Sequence, residues 1–258
     1  MNGTTSTAPQ IGFDRFIQLD WAAAALRVRA GTVTLDELQE LIRATGLGVE
    51  AEHKTRTKLN ALWLEPRPAL VEFANRGVGI FKLNGAASIL ALNWGMAIAS
   101  YSFFGKVAEV IGRLSALHGD CAALEIHRRI SESYGEREVT KRATQAVIQT
   151  QANWGAVERV EQGKRLVRRT PMGVVNDELI AWLVEAALRY LGRSLPVANV
   201  QSLPVLYPFA LEKPLTFAIS RNAHLELQAD GPSGQTVSLG FDVVSDDSTE
   251  SSGQTTFW

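Results

Sequence analysis

Glu138, Lys141, Arg142, Gln145 and Gln149 recur at steps of three and four, which sets them in a row along one face of a helix. Lysine and arginine bind phosphate oxygens, and glutamine amides match the donors and acceptors on base edges, so the chemistry of this row is recognition of nucleic acid. A second basic group follows. Arg159, Lys164, Arg165, Arg168 and Arg169 surround Glu161-Gln162-Gly163, a glycine-containing turn between two short strand patterns, Ala156 to Val160 and Lys164 to Arg168. Between Arg128 and Thr170 there are ten Lys and Arg against five Glu, a net of +5 in a chain whose total is -1. Positive charge gathered on one segment is what phosphate binding needs, because each neutralised phosphate releases condensed counterions. Charge runs on helices are also, in the ordinary case, solvated faces, and packing or protein contact would use the same pattern.

Residues suited to catalysis do not converge in the same way. The four histidines, His53, His118, His127 and His224, fall on different elements and lack the spacing that puts two imidazoles on one helix face for a metal. Gly46-Leu47-Gly48 and Gly77-Val78-Gly79 lack the further glycines and the lysine of phosphate loops, and no Gly-x-Ser-x-Gly elbow occurs. Cys121 opens a helical pattern near His118, a place where a thiolate could be stabilised, but free cysteine is more often a small core residue. The expectation is a protein without catalytic residues, metal or cofactor.

The elements that must hold the basic row are readable on either side of it. Ala122 to Tyr134 repeats apolar residues at Leu124, Ile126 or His127, and Ile130, and Gly135 stops it. Glu136 to Asn153 then turns Val139, Ala143, Ala146, Val147 and Thr150 inward, and Trp154-Gly155 closes it. Phe104 to Leu117 supplies a preceding helix with Val107, Val110, Ile111, Leu114 and Leu117 as its core stripe. Three helices followed by a basic hairpin are the order of a winged helix-turn-helix, with a helix from Asp177 to Leu191 capping the module.

The 258 residues, 46% hydrophobic, are enough for one large domain or two to three small ones. Residues 1–10 are polar and read as a disordered tail without the basic flank and apolar core of a signal peptide. Residues 11–82 form an N-terminal helical module. Thr34 and Glu37 make a capping box ahead of Leu35, Leu38, Leu41 and Ile42, and Gly46 ends that helix. In His53 to Leu64, Leu59, Leu62 and Trp63 face inward while Lys54, Arg56 and Lys58 face out, and after Pro66 and Pro68 the segment Ala69 to Asn75 resumes the pattern, so a second helix-turn-helix with DNA-facing cations is conceivable. Residues 83–200 hold the winged-helix domain. Its first part, Leu83 to Gly105, has no charged residue, yet its asparagines, serines and glycines suit a buried helix from Ala86 to Ser100 better than a membrane span. Residues 201–244 switch to a period of two, and Tyr207 to Leu211, Leu215 to Ile219, Leu225 to Gln228 and Val237 to Val243 read as a small antiparallel sheet. Residues 245–258 read as a second disordered tail, with Phe257 and Trp258 as residues able to dock on a partner. The fold class is therefore mainly α with a small C-terminal antiparallel β region. One cysteine excludes a disulfide framework within the chain and points to a reducing, cytoplasmic setting.

Lys54-Thr55-Arg56-Thr57-Lys58-Leu59 and Ala61-Leu62-Trp63 before a proline-containing helix, Tyr101-Ser102-Phe103-Phe104 leading a long helix, and Thr140-Lys141-Arg142 on a helix ending at Trp154-Gly155 resemble the BrxA family of bacteriophage-exclusion (BREX) defence systems. The resemblance covers Thr34 to Leu191 and is one of element order. It implies helix-turn-helix folds, binding to double-stranded DNA and action beside other defence proteins such as methyltransferase and ATPase subunits. The strand-rich region after Leu203 is not part of that pattern. An alternative from another class is an assembly subunit whose winged helices dock proteins instead of DNA.

Overall fold

The computed structural model describes residues 9–231 and 234–240, and most of them are helical. The tail residues Phe257 and Trp258 and the segment 241–243 lie outside the described residues. Helix α1 (Leu19–Arg29) buries an unbroken run from Trp21 to Leu26. Helix α2 (Leu35–Arg43) starts where expected: the Glu37 N–H donates to Thr34 Oγ1 at 3.2 Å and the Thr34 N–H donates to the Glu37 carboxylate at 2.7 Å. Only Leu38 and Ile42 of its apolar set are buried, while Leu35 and Leu41 remain exposed. Helix α3 (Val49–Leu59) widens into a π turn, Asn60–Leu64, that carries Leu62 and Trp63 into the core. Arg29 Nη1 donates to the Trp63 carbonyl at 2.7 Å. After Pro68 the chain enters α4 (Val71–Asn84), which runs nine residues beyond the Asn75 expected as its end.

Helix α5 (Ile89–Ser100) is buried on nearly every side, and α6 (Ser102–Ser115) leaves it at 116° across the extended Tyr101. The uncharged stretch is thus split between three helices, and among the described residues no single helix is long and apolar enough to cross a membrane. Strand β1 (Asp120–Ala122), helices α7 (Ala123–Tyr134) and α8 (Glu138–Asn153), and strands β2 (Val157–Val160) and β3 (Arg165–Arg168) follow. Then come β4 (Met172–Val174) and α9 (Asp177–Leu191), whose Leu179 N–H donates to the Asn176 side chain at 2.9 Å.

Helix α9 packs on α5 with a close backbone approach. A Cβ at Gly95 would overlap the Trp182 ring. That ring stacks on Phe73 at 4.2 Å, and its Nε1 donates to the Phe73 carbonyl at 3.0 Å. One turn further, the fully buried Glu185 accepts from both Arg76 Nη atoms, at 2.7 and 2.8 Å, and from Arg189 Nε at 3.0 Å. Both guanidinium groups also lie over the Phe73 ring.

The C-terminal region corrects the expected four-stranded antiparallel sheet. Strand β6 (Phe209–Leu211) pairs in parallel with β4, Met172 opposite Phe209. Leu215–Ser220 is helix α11, not a strand. Leu-Thr-Phe-Ala-Ile-Ser satisfies both periods, but Leu215, Ala218 and Ile219 are buried and Phe217 is 50% exposed, so the helical spacing prevails behind Pro214. Strand β5 (Leu195–Pro196), followed by the single turn α10 (Val197–Val200), joins the hairpin of β7 (Leu225–Asp230) and β8 (Gly234–Leu239) in the order β5-β8-β7. One hydrophobic cluster runs from Phe13 to Val237 and draws on all of these segments.

Gly95→Ala is expected to destabilise the chain by about 1–3 kcal/mol, because the added methyl must displace a packed indole. Gly79→Ala, in the α4 interior with open space at its Cβ, should instead gain about 0.5–1 kcal/mol of helix propensity. Urea midpoints of the two variants against the parent chain check the pair.

Candidate nucleic-acid interface

Residues 102–168 run helix, strand, helix, helix, hairpin, and the three strands form one antiparallel sheet in the order β1-β3-β2. Asp120 to Ala122 pair with Val167 to Arg165, and Val157 to Val160 pair with Arg168 to Arg165. The hairpin turn holds three successive left-handed residues, Glu161, Gln162 and Gly163, with φ of 52°, 57° and 84°. Only glycine adopts this region without strain, and the Arg159 guanidinium lies against the space its missing side chain leaves.

Helix α8 presents Glu138, Lys141 and Arg142 fully to solvent, with Gln145 and Gln149 partly exposed. Ala143, Ala146, Val147 and Thr150 are buried as expected, but Val139 is 49% exposed and Thr140 and Thr144 are inside instead. Thr144 Oγ1 donates back to the Thr140 carbonyl at 2.8 Å, which lets a hydroxyl occupy the core side of the helix. Leu124 and Leu117, both expected in the core, are 81% and 83% exposed. Each stands at an element end, where the packing neighbour has already turned away: Leu124 in the first turn of α7 and Leu117 beyond the last turn of α6.

The far end of α8 is clamped by residues near the start of the chain. The Ile17 N–H donates to Thr150 Oγ1 at 3.0 Å, the Leu19 N–H to Asn153 Oδ1 at 2.8 Å, and Trp154 Nε1 to the Ile17 carbonyl at 2.9 Å. Gln151, fully buried, accepts from the Tyr207 hydroxyl at 2.9 Å.

The cations divide into three groups. Arg128 and Arg129 bond Glu125, Arg142 bonds Glu138 at 3.0 Å, Arg165 bonds Asp120 at 2.5 Å, and Arg169 pairs with Glu158 at 3.3 Å. Arg168 faces inward, donates to the Tyr207 carbonyl and lies over the Tyr207 ring. Lys141, Arg159 and Lys164 have no carboxylate within ion-pair distance among the described residues. On α3, Lys54 pairs with Glu50 and Lys58 with Asp14 at 3.0 Å, the latter with a side chain only 16% exposed, so of that set Arg56 alone is unpaired.

The two arginines hold the Glu125 carboxyl down to about 2. Stability from these pairs is therefore fully present above the carboxyl's ordinary value and is lost as the pH falls towards 2. His127 is lowered, first by burial and then by the charge of Lys141, against a hydrogen bond with Gln145 that raises it. It lines a cleft of about 750 Å³ between α7 and α8, together with Arg128, Glu132, Glu138 and Lys141. Among the described residues no three His, Cys, Asp or Glu are grouped so as to hold a metal. Comparisons with protein families, with curated proteins and with solved structures return no match for this chain.

Strand β1 and the inward turn of Arg168 were not anticipated. The first carries no strand signal in Asp-Cys-Ala. The second was available, since a period of two puts Arg168 on the same face as the buried Leu166. Cys121, buried in β1, has its thiol pushed up to about 11 by burial and by Asp120. It should react with a thiol-specific reagent at pH 8 only on unfolding, since roughly one molecule in a thousand carries the thiolate. Rapid labelling of the native chain would contradict that environment.

Proposed function

We propose that residues 102–168 are a winged helix-turn-helix and that the chain is a non-enzymatic binder of double-stranded DNA. The connectivity carries this reading. A short strand between the first two helices completes a sheet with the hairpin, and the third helix, α8, exposes a row of basic and amide side chains suited to the major groove. Lys141, Arg142, Gln145 and Gln149 face the groove, and Arg159, Lys164, Arg165 and Arg169 on or beside the hairpin reach phosphate. Arg168 serves the scaffold instead. The side chains of Arg128, Arg142, Arg165 and Arg169 are about half exposed or more, so their ion pairs contribute little and exchange readily for a phosphate contact. The resemblance to the BrxA family supplies the setting: an accessory component of a bacterial anti-phage defence system, acting with other proteins in the cytoplasm.

A second reading rests on a different surface. Leu83 and Val175, 77% and 56% exposed, line a groove of about 590 Å³ between α4 and α9, and Phe217 stands exposed on the adjoining α11. Apolar side chains on a groove rim suit a docked protein, as an assembly subunit requires.

Electrophoretic shift of a duplex at several salt concentrations tests the first reading. Affinity should fall steeply with salt, and Lys141→Ala with Lys164→Ala should reduce the log–log slope by about 2, near 0.9 per phosphate contact. Salt-insensitive or absent binding, with a stable protein partner on copurification, would favour the docking reading.

A further inference from the structure

Helix α4 carries two glycines two residues apart, and packing within the fold accounts for only one of them. A Cβ at Gly77 would meet Trp182 at 3.1 Å and Trp63 at 3.2 Å, which excludes a side chain there. Gly79 has nothing within 4 Å of where its Cβ would stand, is exposed, and sits in the helix interior, where glycine is unfavourable. It lines a cleft of about 390 Å³ with Ile80, Trp182, Ala223 and His224. That cleft shares Leu83, Glu178, Arg221 and Asn222 with the 590 Å³ groove beside it, so the two form one continuous trough between α4, α9 and α11. A bare backbone on the wall of a trough lets another stretch of chain approach closely.

The charges of the trough are segregated. Asp177 and Glu178 stand in the first turn of α9, whereas Lys213 and Arg221 stand at the two ends of α11. Lys213 pairs with Asp177 at 3.5 Å, while Arg221 lies over the Phe217 ring at 5.3 Å and has no carboxylate within ion-pair distance among the described residues. Gly240, the last described residue, is anchored at the mouth of the trough. Its N–H donates to the His224 carbonyl at 2.8 Å, and its backbone lies against Ala223 and His224. Residues 241–250 follow it with Asp242, Asp246, Asp247 and Glu250 and without lysine or arginine.

We propose that residues 241–250 of the chain itself occupy the trough, with Phe241 and Val243 toward Gly79, Ile80 and Leu83, and the carboxylates of Asp246 and Asp247 toward Arg221 and Lys213. The order of residues fits the distances. Arg76 to Asn84 covers about 12 Å of the α4 axis, which about four extended residues span. The apolar residues that leave Gly240 therefore reach Gly79 first, and the acidic pair reaches the far end. The proposal goes beyond both functional readings. For the docking reading it means that an incoming protein must displace this segment.

Two measurements on the full chain test it. Gly79→Cys places a thiol where the structure has room, and Cys121, buried in β1, reports any chain that has lost its fold by becoming reactive. Alkylation of the new thiol should be about threefold or more faster when Asp246→Lys and Asp247→Lys are added, the scale of one or two exposed ion pairs. Adding Arg221→Asp to that variant should slow it again. Equal rates in all three chains overturn the proposal. In the second measurement, a short bismaleimide should join Gly79→Cys to Val243→Cys within one chain at least about tenfold faster than it joins Val243→Cys to Val49→Cys, a position 87% exposed on α3 that does not line the trough. Equal joining at the two positions overturns the proposal, and links formed only between two chains overturn it in favour of a second copy as the occupant. Either result leaves the DNA-binding reading standing.

Discussion

The indole of Trp154 ties together segments that lie far apart in the chain. Its Nε1 donates to the Ile17 carbonyl at 2.9 Å in the buried interior, and its ring packs against Phe104 at 5.6 Å and Trp94 at 6.4 Å. One residue therefore joins the end of α8 to α5, to α6 and to the segment before α1. The bond itself is worth about 1 kcal/mol net, but a buried carbonyl left without its donor would cost more than that. With Thr150 and Asn153 accepting from the same segment, α8 has no freedom to roll, and the direction of its exposed row is set by the body behind it.

The second constraint is the charge enclosed under α9. Glu185 has no exposure at all, and the cost of burying its carboxylate is met by three donated hydrogen bonds from Arg76 and Arg189. Those arginines lie over the Phe73 ring, which in turn stacks on Trp182, and Trp182 occupies the space that the bare backbone of Gly95 leaves. Charge, ring and missing side chain form one continuous chain of contacts across α4, α5 and α9. The module carrying the basic row is built onto that support and shares its hydrophobic cluster.

Local signals were legible and distant ones were not. The Thr34 capping box, the buried α5, the hairpin around Gly163 and, Val139 apart, the inner face expected for α8 all follow from residues a few positions apart, and the structure reproduces them. Strand β1 is different: three residues become a strand only because β3 lies alongside. The parallel pairing of β4 with β6 likewise joins segments separated by α9, and neither strand signals its partner. For Leu215–Ser220 two periods fit the same six residues, and packing, not pattern, decides between them. In the candidate interface the positions of the basic residues were readable, but their state was not. Which arginines are paired and which one turns inward depend on neighbours brought in by the fold.

The clamp on α8 also has a consequence for how the chain matures. Residues 17 and 154 are 137 positions apart, and their contact closes one of the longest loops in the fold. On a ribosome adding about 5–20 residues per second, the segment before α1 waits at least several seconds without its partner. During that interval Phe13, Ile17 and the apolar run of α1 have only part of their final surroundings. The row that faces outward on α8 is thus locked in place only after Trp154 has emerged, and it depends on residues synthesised well before it.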